Sequence, residues 1–213
     1  MSFPSNERTF FLTDNTQIMT KNELRKIVRQ RKKEVPLEEK KLRSEKIMKQ
    51  LEKTTEFRKA GTVLLYWSMD DEVYTQDLVQ QYAGKKNILL PAVDGDNLRI
   101  KQFRGIENLQ AGEQFGIGEP TGEDFTDYSG IELIVVPGVA FDTHCNRMGR
   151  GRGYYDKLLS TAEACKIGVA FDFQIFDEVP TEEFDVKMDM VIAENEIFTG
   201  KQAKTPAIRK KIQ

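Results

Sequence analysis

The segment best equipped for chemistry is a short run in which arginine and glycine alternate. It contains Arg147, Arg150 and Arg152, with glycines at 149, 151 and 153. Glycine lets the backbone approach a ligand closely, and successive backbone N–H groups before a helix can bind an anion. Arginine adds permanent charge and forked donors that match phosphate oxygens. The run therefore predicts a phosphate-binding loop.

An aspartate, Asp156, follows this loop one turn into the predicted helix, where it could hold Mg²⁺ against bound phosphates. The loop is neither a Walker A motif nor a G-x-G-x-x-G fingerprint. Two alternatives are a flexible turn with solvated arginines and an RGG-like nucleic-acid segment. A buried strand before the loop and an aromatic helix after it argue against both, because disordered RGG tails have neither.

Two further groups could face a ligand. Lys21, Arg25 and Arg29 repeat every four residues and so share one helix face, which is either a second wall facing phosphate or a solvated surface. Trp67 and Glu72 belong to a loop that follows an apolar run, where a binding loop is expected. Glu72 could accept hydrogen bonds from a heterocycle, or it could simply favour the start of a helix.

The remaining candidates each have a plain structural alternative. Phe115 could stack on a flat ring or fill a minor core. Asp185 and Asp189 could join Asp156 at a metal or decorate a turn. His144, the only histidine, invites a general-base role, although no paired group supports it.

The elements that must position these residues alternate between strand and helix. A capping box at Thr20–Glu23 begins the first helix, and Pro36 separates it from a second that runs to about Phe57. Further helices are predicted at 75–82 and 153–163, a loop at 105–130, and strands at 62–67, 88–91, 98–103, 133–138, 167–171 and 190–193.

This order predicts an α/β fold, a single three-layer domain with a mostly parallel central sheet flanked by helices. We assign the domain to residues 20–199, between a flexible N-terminal extension (1–19) and a polar C-terminal tail (200–213). Ligands of such sheets bind beyond the carboxyl ends of the strands. The loops after Trp67, Pro91 and Pro137 should therefore form the site.

Composition narrows the class of protein. The 213 residues include 32 lysines and arginines and 34 aspartates and glutamates, so the net charge of −2 argues against a nucleic-acid binder. Cys145 and Cys165 make no disulfide framework and indicate reduced thiols in the cytosol. No stretch approaches the roughly 20 apolar residues of a membrane span. We expect a cytoplasmic protein without nucleic-acid or membrane partners, either a monomer or a weak homodimer.

On these motifs the sequence resembles the 5-formyltetrahydrofolate cyclo-ligases, also called methenyltetrahydrofolate synthetases. The most specific match begins at Pro137-Gly138, includes Phe141-Asp142 and continues through 146–156. Supporting matches follow in the family's order and cover about 20–193: the basic segment 21–25, then 68–72, 116–120 and 185–189.

The resemblance implies an ATP- and Mg²⁺-dependent ligase that converts 5-formyltetrahydrofolate to 5,10-methenyltetrahydrofolate and releases ADP and phosphate. Phosphorylation of the formyl oxygen would precede attack by N10. The alternatives are a sugar-phosphate isomerase or transferase-like α/β enzyme, and a basic RNA-binding module.

The resemblance also implies roles for individual residues. Arg147, Arg150 and Tyr154 would act in catalysis, and Asp156 and Asp185 would bind Mg²⁺. The residues expected to contact ATP are Lys21, Asn22, Glu23, Leu24, Arg25, Arg147, Met148, Gly149, Arg150, Gly151, Arg152, Gly153, Tyr154 and Tyr155. Those expected to contact the folate are Trp67, Glu72, Phe115, Arg150, Gly151, Arg152, Gly153 and Tyr154.

Overall fold

The computed structural model describes residues 19–112, 116 and 118–200, so almost all of the proposed extension and tail lies outside the described residues. The helices are α1 (Lys21–Glu34), α2 (Leu37–Lys53), α3 (Thr55–Lys59), α4 (Gln76–Tyr82) and α5 (Tyr154–Thr161). The strands are β1 (Thr62–Leu64), β2 (Asn87–Asp94), β3 (Asn97–Gln102), β4 (Leu109–Ala111), β5 (Gly118–Pro120), β6 (Leu133–Val136), β7 (Ala140–Asp142), β8 (Arg147–Met148), β9 (Cys165–Val169), β10 (Ile175–Phe176), β11 (Met190–Ile192) and β12 (Ile197–Thr199).

A seven-stranded sheet organises the molecule, in the order β12-β11-β9-β6-β1-β2-β3. The five inner strands pair in parallel, and only the edge strands β3 and β12 pair antiparallel. The predicted α/β class with a mostly parallel sheet is confirmed. None of the helices within the described ranges is long and apolar enough to cross a membrane.

Both faces of the sheet are covered, which explains why its inner strands are apolar runs rather than alternating ones. In β6, Leu133 and Val135 pack in a core with α2, α3 and α4, whereas Ile134 and Val136 pack in a second core with α5. Successive side chains of a strand point to opposite faces, so one short run serves both layers.

A third, smaller core holds α1 against the segment that carries the glycine-rich loop. Leu24 and Val28 of α1 pack with Ala140 and Met148 of a small three-stranded sheet, β10-β7-β8. The helix begins with the predicted capping box: Glu23 N–H donates to the Thr20 hydroxyl, and Thr20 N–H donates to the Glu23 carboxylate. The first helix is therefore fixed beside the predicted site.

Three local predictions need correction. The second helix stops at Lys53, where the Thr54 hydroxyl caps the separate helix α3 through Phe57 N–H. The predicted loop 105–130 contains an antiparallel pair, β4 with β5. Strands β7, β8 and β10 were not predicted, because two or three residues are too few to show a period in sequence.

The ring of Phe141, fully buried in β7, sets the position of the small sheet on the large one. A Cβ atom added at Gly138 or Gly168 would lie 2.5 Å from a ring carbon of Phe141. Glycine is needed at both positions because the ring occupies the space of their side chains. The chain leaving β6 is thus held close to β9 as it enters the predicted phosphate-binding loop.

The strand order reverses between β1 and β6. The chain runs from β1 outward to β2 and β3, then returns to the other side of β1 with β6 and continues to β9 and β11. Loops that leave the carboxyl ends of β1 and β6 therefore diverge and open a crevice.

Candidate active site

An open cavity lies at this crevice. Its lining comes from the loops after Trp67 and Pro137, from β2, β3 and β5, and from the start of α5. The segment after Pro91 was predicted as a loop, but strand β2 continues through it to Asp94. The lining residues are Tyr66, Trp67, Met69, Glu72, Pro91, Val93, Leu98, Glu119, Pro137, Gly138, Arg147, Gly149, Arg150, Gly151, Arg152, Gly153, Tyr154, Tyr155 and Asp156. We call the part lined by Arg147 and residues 149–153 the polar end, and the part lined by Trp67, Val93, Leu98 and Glu119 the apolar end.

The guanidinium of Arg147 anchors the polar end. Its side chain is only 3% exposed, and it donates to Asp156 Oδ1 at 2.7 Å and to the Pro137 carbonyl at 3.2 Å. It also lies 5.7 Å from the centre of the Tyr155 ring. One cation thus ties the end of the central strand to the loop and to the first turn of α5.

Arg150 is held by acids from the loop after β1. Its Nη2 donates to Asp71 Oδ1 at 2.6 Å and to Glu72 Oε1 at 3.2 Å. Asp71 Oδ2 in turn accepts from the ammonium of Lys32 at 3.1 Å. Both carboxylates engage Nη2, and the Nε–H and the two N–H groups of Nη1 form no hydrogen bond with the described residues.

Burial and charge shift the pKa values in this network. Burial lowers the pKa of Lys32, and Asp71 offsets part of that effect. Burial alone would raise the pKa of Asp71, but Lys32 and Arg150 hold it below its usual value. The pKa of Glu72 is raised, mainly because this carboxyl is buried. The network contributes two cations and two acids, so it is close to neutral before any ligand binds.

The first helix contacts the glycine-rich loop directly. Arg25 Nε donates to the Gly149 carbonyl at 3.2 Å, and its Nη1 donates to Asn22 Oδ1. Lys21 instead forms ion pairs with Asp185 at 2.6 Å and with Glu182 at 2.9 Å. Lys21, Asn22, Arg25 and Arg29 are not among the residues that line the cavity, so α1 lies beside the loop and its role as a phosphate-facing wall stays a prediction.

Asp142, completely buried, shapes the turn before the loop. Its carboxylate accepts from the backbone N–H groups of His144, Asn146 and Val179. His144 is not among the residues that line the cavity. Cys145 is buried, and burial raises the pKa of its thiol to about 11. The adjacent histidine and cysteine therefore belong to the turn rather than to a catalytic pair.

Most predicted site residues come together in this cavity. The cavity is lined by Trp67, Glu72, Arg147 and all residues from 149 to 156. Leu24 and Met148 are buried in the third core, so any contact with a ligand falls to their backbone. The Glu23 carboxylate caps α1, and Phe115 lies outside the described residues.

The carboxylates expected to hold Mg²⁺ differ in position. Asp156 borders the cavity, and Arg147 engages one of its two oxygens. Asp185 is not among the lining residues and is paired with Lys21. Within the described parts of the chain, no three acidic, histidine or cysteine side chains converge on a point. Asp156 still fits Mg²⁺, because this ion commonly takes one or two carboxylates and completes its shell with phosphates and water.

The sequence interpretation missed two charged residues. Lys32 received no individual role from the sequence, yet it is only 6% exposed. Its spacing carried the signal, because it follows the buried Leu24 and Val28 at four-residue intervals and so shares their face. Glu119 was noted as part of a motif and given no role; it lies 7% exposed on the cavity wall.

Comparison with known proteins points to one family. Residues 17–194 match the model of the 5-formyltetrahydrofolate cyclo-ligase family. A probable 5-formyltetrahydrofolate cyclo-ligase of Schizosaccharomyces pombe is 31% identical over 172 residues, which cover 71% of this chain and 84% of the relative. The 5-formyltetrahydrofolate cyclo-ligase of Escherichia coli is 29% identical over 148 residues, covering 65% of this chain and 81% of the relative.

Comparison with solved structures points to the same family. The NMR structure of Aquifex aeolicus 5,10-methenyltetrahydrofolate synthetase superposes with a TM-score of 0.78 at 34% identity, covering 88% of this chain and 96% of that one. A 5,10-methenyltetrahydrofolate synthetase from Mycoplasma pneumoniae gives a TM-score of 0.66 at 25% identity, covering 83% of this chain and 99% of that one. These three comparisons lead to the same conclusion: the chain belongs to the 5-formyltetrahydrofolate cyclo-ligase family.

Proposed function

We propose that this protein closes the formyl group of 5-formyltetrahydrofolate onto N10 at the expense of ATP, giving 5,10-methenyltetrahydrofolate, ADP and phosphate. Family membership supports the reaction. The observation that carries the use of ATP is the polar end of the cavity, where arginines and glycine backbone surround one carboxylate at the start of a helix.

The chemical difficulty is that the oxygen of a formamide is a poor leaving group. In the proposed reaction this oxygen attacks the γ-phosphorus, and the bond from that phosphorus to ADP breaks. N10 then attacks the activated formyl carbon, the bond from carbon to the phosphorylated oxygen breaks, and the N10 proton is lost. Phosphate carries away the formyl oxygen.

Such phosphoryl transfer depends on positioning and charge neutralisation more than on a protein nucleophile. Backbone N–H groups at 149–153 would bind the phosphates, since they precede α5. Arg150 would direct its remaining N–H donors at the γ-phosphate while Asp71 and Glu72 hold its guanidinium. Arg152 is exposed, and it forms no ion pair within the described ranges, so its charge is available to phosphate.

We place Mg²⁺ at Asp156, with Asp185 as the second proposed ligand. When bound, the ion would neutralise charge on the β- and γ-phosphates. Arg147 donates to Asp156 Oδ1 and would orient the carboxylate, which leaves Oδ2 to bind the ion.

We further propose that the protein is cytoplasmic, that it is a monomer or a weak homodimer, and that it acts on small molecules. An RNA-binding module is less well supported, because the basic residues of α1 are partly engaged inside the protein. Lys21 is paired with Asp185 and Lys32 with Asp71.

The most direct test of the function is turnover of the substrate. Purified protein incubated with 5-formyltetrahydrofolate, ATP and Mg²⁺ should generate the ultraviolet absorbance of the methenyl product, and omission of ATP should abolish it. Absence of product in the complete mixture would refute the assignment.

Replacing Asp156 with asparagine should remove most Mg²⁺-dependent turnover, because an amide binds Mg²⁺ far more weakly than a carboxylate. The protein should remain folded, because the amide oxygen can still accept the hydrogen bond from Arg147. The measurement is initial rate against Mg²⁺ concentration, with circular dichroism to verify folding. Asp77→Asn is the matched control, since Asp77 is an exposed acid in the first turn of α4. A Mg²⁺ titration of Asp156→Asn that matches the wild type would exclude Asp156 as a ligand.

Replacing Arg150 with alanine should lower kcat about 100-fold or more, the usual cost of removing a donor that stabilises transition-state charge. Steady-state rates at saturating ATP measure it. Arg104→Ala, which removes an exposed arginine outside the cavity, should leave kcat unchanged. An unaltered kcat in Arg150→Ala would show that this guanidinium does not act on the transferring phosphate.

A further inference from the structure

The apolar end of the cavity contains one carboxylate whose burial is not compensated by a neighbouring positive charge of the described residues. Glu119 lies in β5 and is 7% exposed, on a wall that also includes Trp67, Val93 and Leu98. Burying an ionised carboxylate is costly unless charge or hydrogen-bond donors compensate it. Such donors must come from the protein or from a ligand.

The protein supplies only part of the hydrogen-bond donors that the Glu119 carboxylate needs. Glu119 Oε1 accepts from the backbone N–H of Val93 at 3.2 Å, and no lysine or arginine within the described ranges forms an ion pair with it. The carboxyl is held tightly, since a Cβ added at Gly112 would lie 2.5 Å from Oε1. Each carboxylate oxygen can accept two hydrogen bonds, so acceptor capacity remains on the cavity side.

The other acids of the cavity are already engaged. Glu72 accepts from Arg150 through Oε1 and from Met69 N–H through Oε2. Asp156 is paired with Arg147. Of the cavity acids, Glu119 is therefore the one that forms no ion pair with a cation of the described residues.

The surroundings restrict the ligand group that fits. Trp67 packs over Gly118, where an added Cβ would lie 3.1 Å from the indole nitrogen, and Trp67 and Phe103 have ring centres 6.0 Å apart. A flat, mostly apolar group would fit beside these rings. To satisfy Glu119 it must present N–H donors along one edge.

We propose that Glu119 binds the amino-pyrimidinone edge of the pteridine, accepting from its 2-amino group and its neighbouring ring N–H. This inference rests on the proposed function and assigns the orientation of the substrate. The pteridine lies at the apolar end of the cavity, and the formyl group on N5 faces the arginines and glycines. Glu119 is a binding residue in addition to the predicted folate contacts Trp67 and Glu72.

The experiment uses the single tryptophan, Trp67, as a probe, because its fluorescence should report any ligand that enters this end of the cavity. Dissociation constants are measured for 5-formyltetrahydrofolate, for the fragment 5-formyltetrahydropterin and for p-aminobenzoylglutamate. The proteins are the full-length wild type, Glu119→Ala, Glu119→Gln and the control Glu123→Gln. Glu123 is exposed, lies four residues from Glu119 and does not line the cavity.

Glu119→Ala should weaken the complete folate and the pterin fragment alike, by about 10- to 100-fold, as expected for lost hydrogen bonds to a charged group. Glu119→Gln should give a smaller loss of at least about threefold, because an amide keeps a single acceptor oxygen. Affinity for p-aminobenzoylglutamate and the KM for ATP should remain those of the wild type, as should every value for Glu123→Gln.

Unchanged affinity for the pterin fragment in folded Glu119 variants would overturn the inference and reduce Glu119 to a cap for the Val93 N–H. An equal shift in the KM for ATP would also overturn it, because it would indicate general distortion of the cavity. If Glu119→Ala does not fold, the isosteric Glu119→Gln decides. Wild-type protein that makes no methenyl product would instead refute the proposed function, so the two failures are distinguishable.

Discussion

The buried ion pair between Arg147 and Asp156 is the constraint on which the site depends. A guanidinium that is 3% exposed must be compensated, and removing one partner of such a pair typically costs about 3–5 kcal/mol. Compensation here requires three segments to meet, since Arg147 also donates to Pro137 at the end of the central strand. The glycine-rich loop is therefore fixed at both ends before any ligand arrives.

A second layer of charge positions the cation that remains accessible. Lys32, Asp71, Glu72 and Arg150 form a chain that runs from inside α1 to the cavity mouth. Its acids hold one nitrogen of Arg150, and its other two nitrogens form no hydrogen bond within the part of the chain that the structure describes. A donor already aimed at the place where charge develops needs little reorganisation during a reaction, which makes such sites effective for phosphoryl transfer. The basic first helix thus contributes through a buried lysine as well as through its surface.

The sequence predicted the large-scale fold because apolar runs identify strands covered on both faces, and strand ends locate ligand loops. The loops after Trp67 and Pro137 were placed correctly at the cavity for this reason, whereas Pro91 lines it from within β2. Contacts between distant segments were not predictable in the same way. The burial of Lys32 depends on Asp71, 39 residues away, and the position of Glu119 depends on a hairpin within a segment with no clear period. The glycines that accommodate Phe141 likewise acquire their meaning only when β7 meets β9.

We propose that the site turns an inert formamide oxygen into a leaving group by phosphorylating it. The direct measurement uses 5-formyltetrahydrofolate carrying ¹⁸O in the formyl group, with ATP and Mg²⁺ in unlabelled water, and mass analysis of the released phosphate. We expect one ¹⁸O atom in each phosphate formed, and we expect phosphate and methenyl product to form at the same rate. Phosphate without label, produced at the same rate as product, would contradict this proposal, because the formyl oxygen would then leave without bonding to phosphorus.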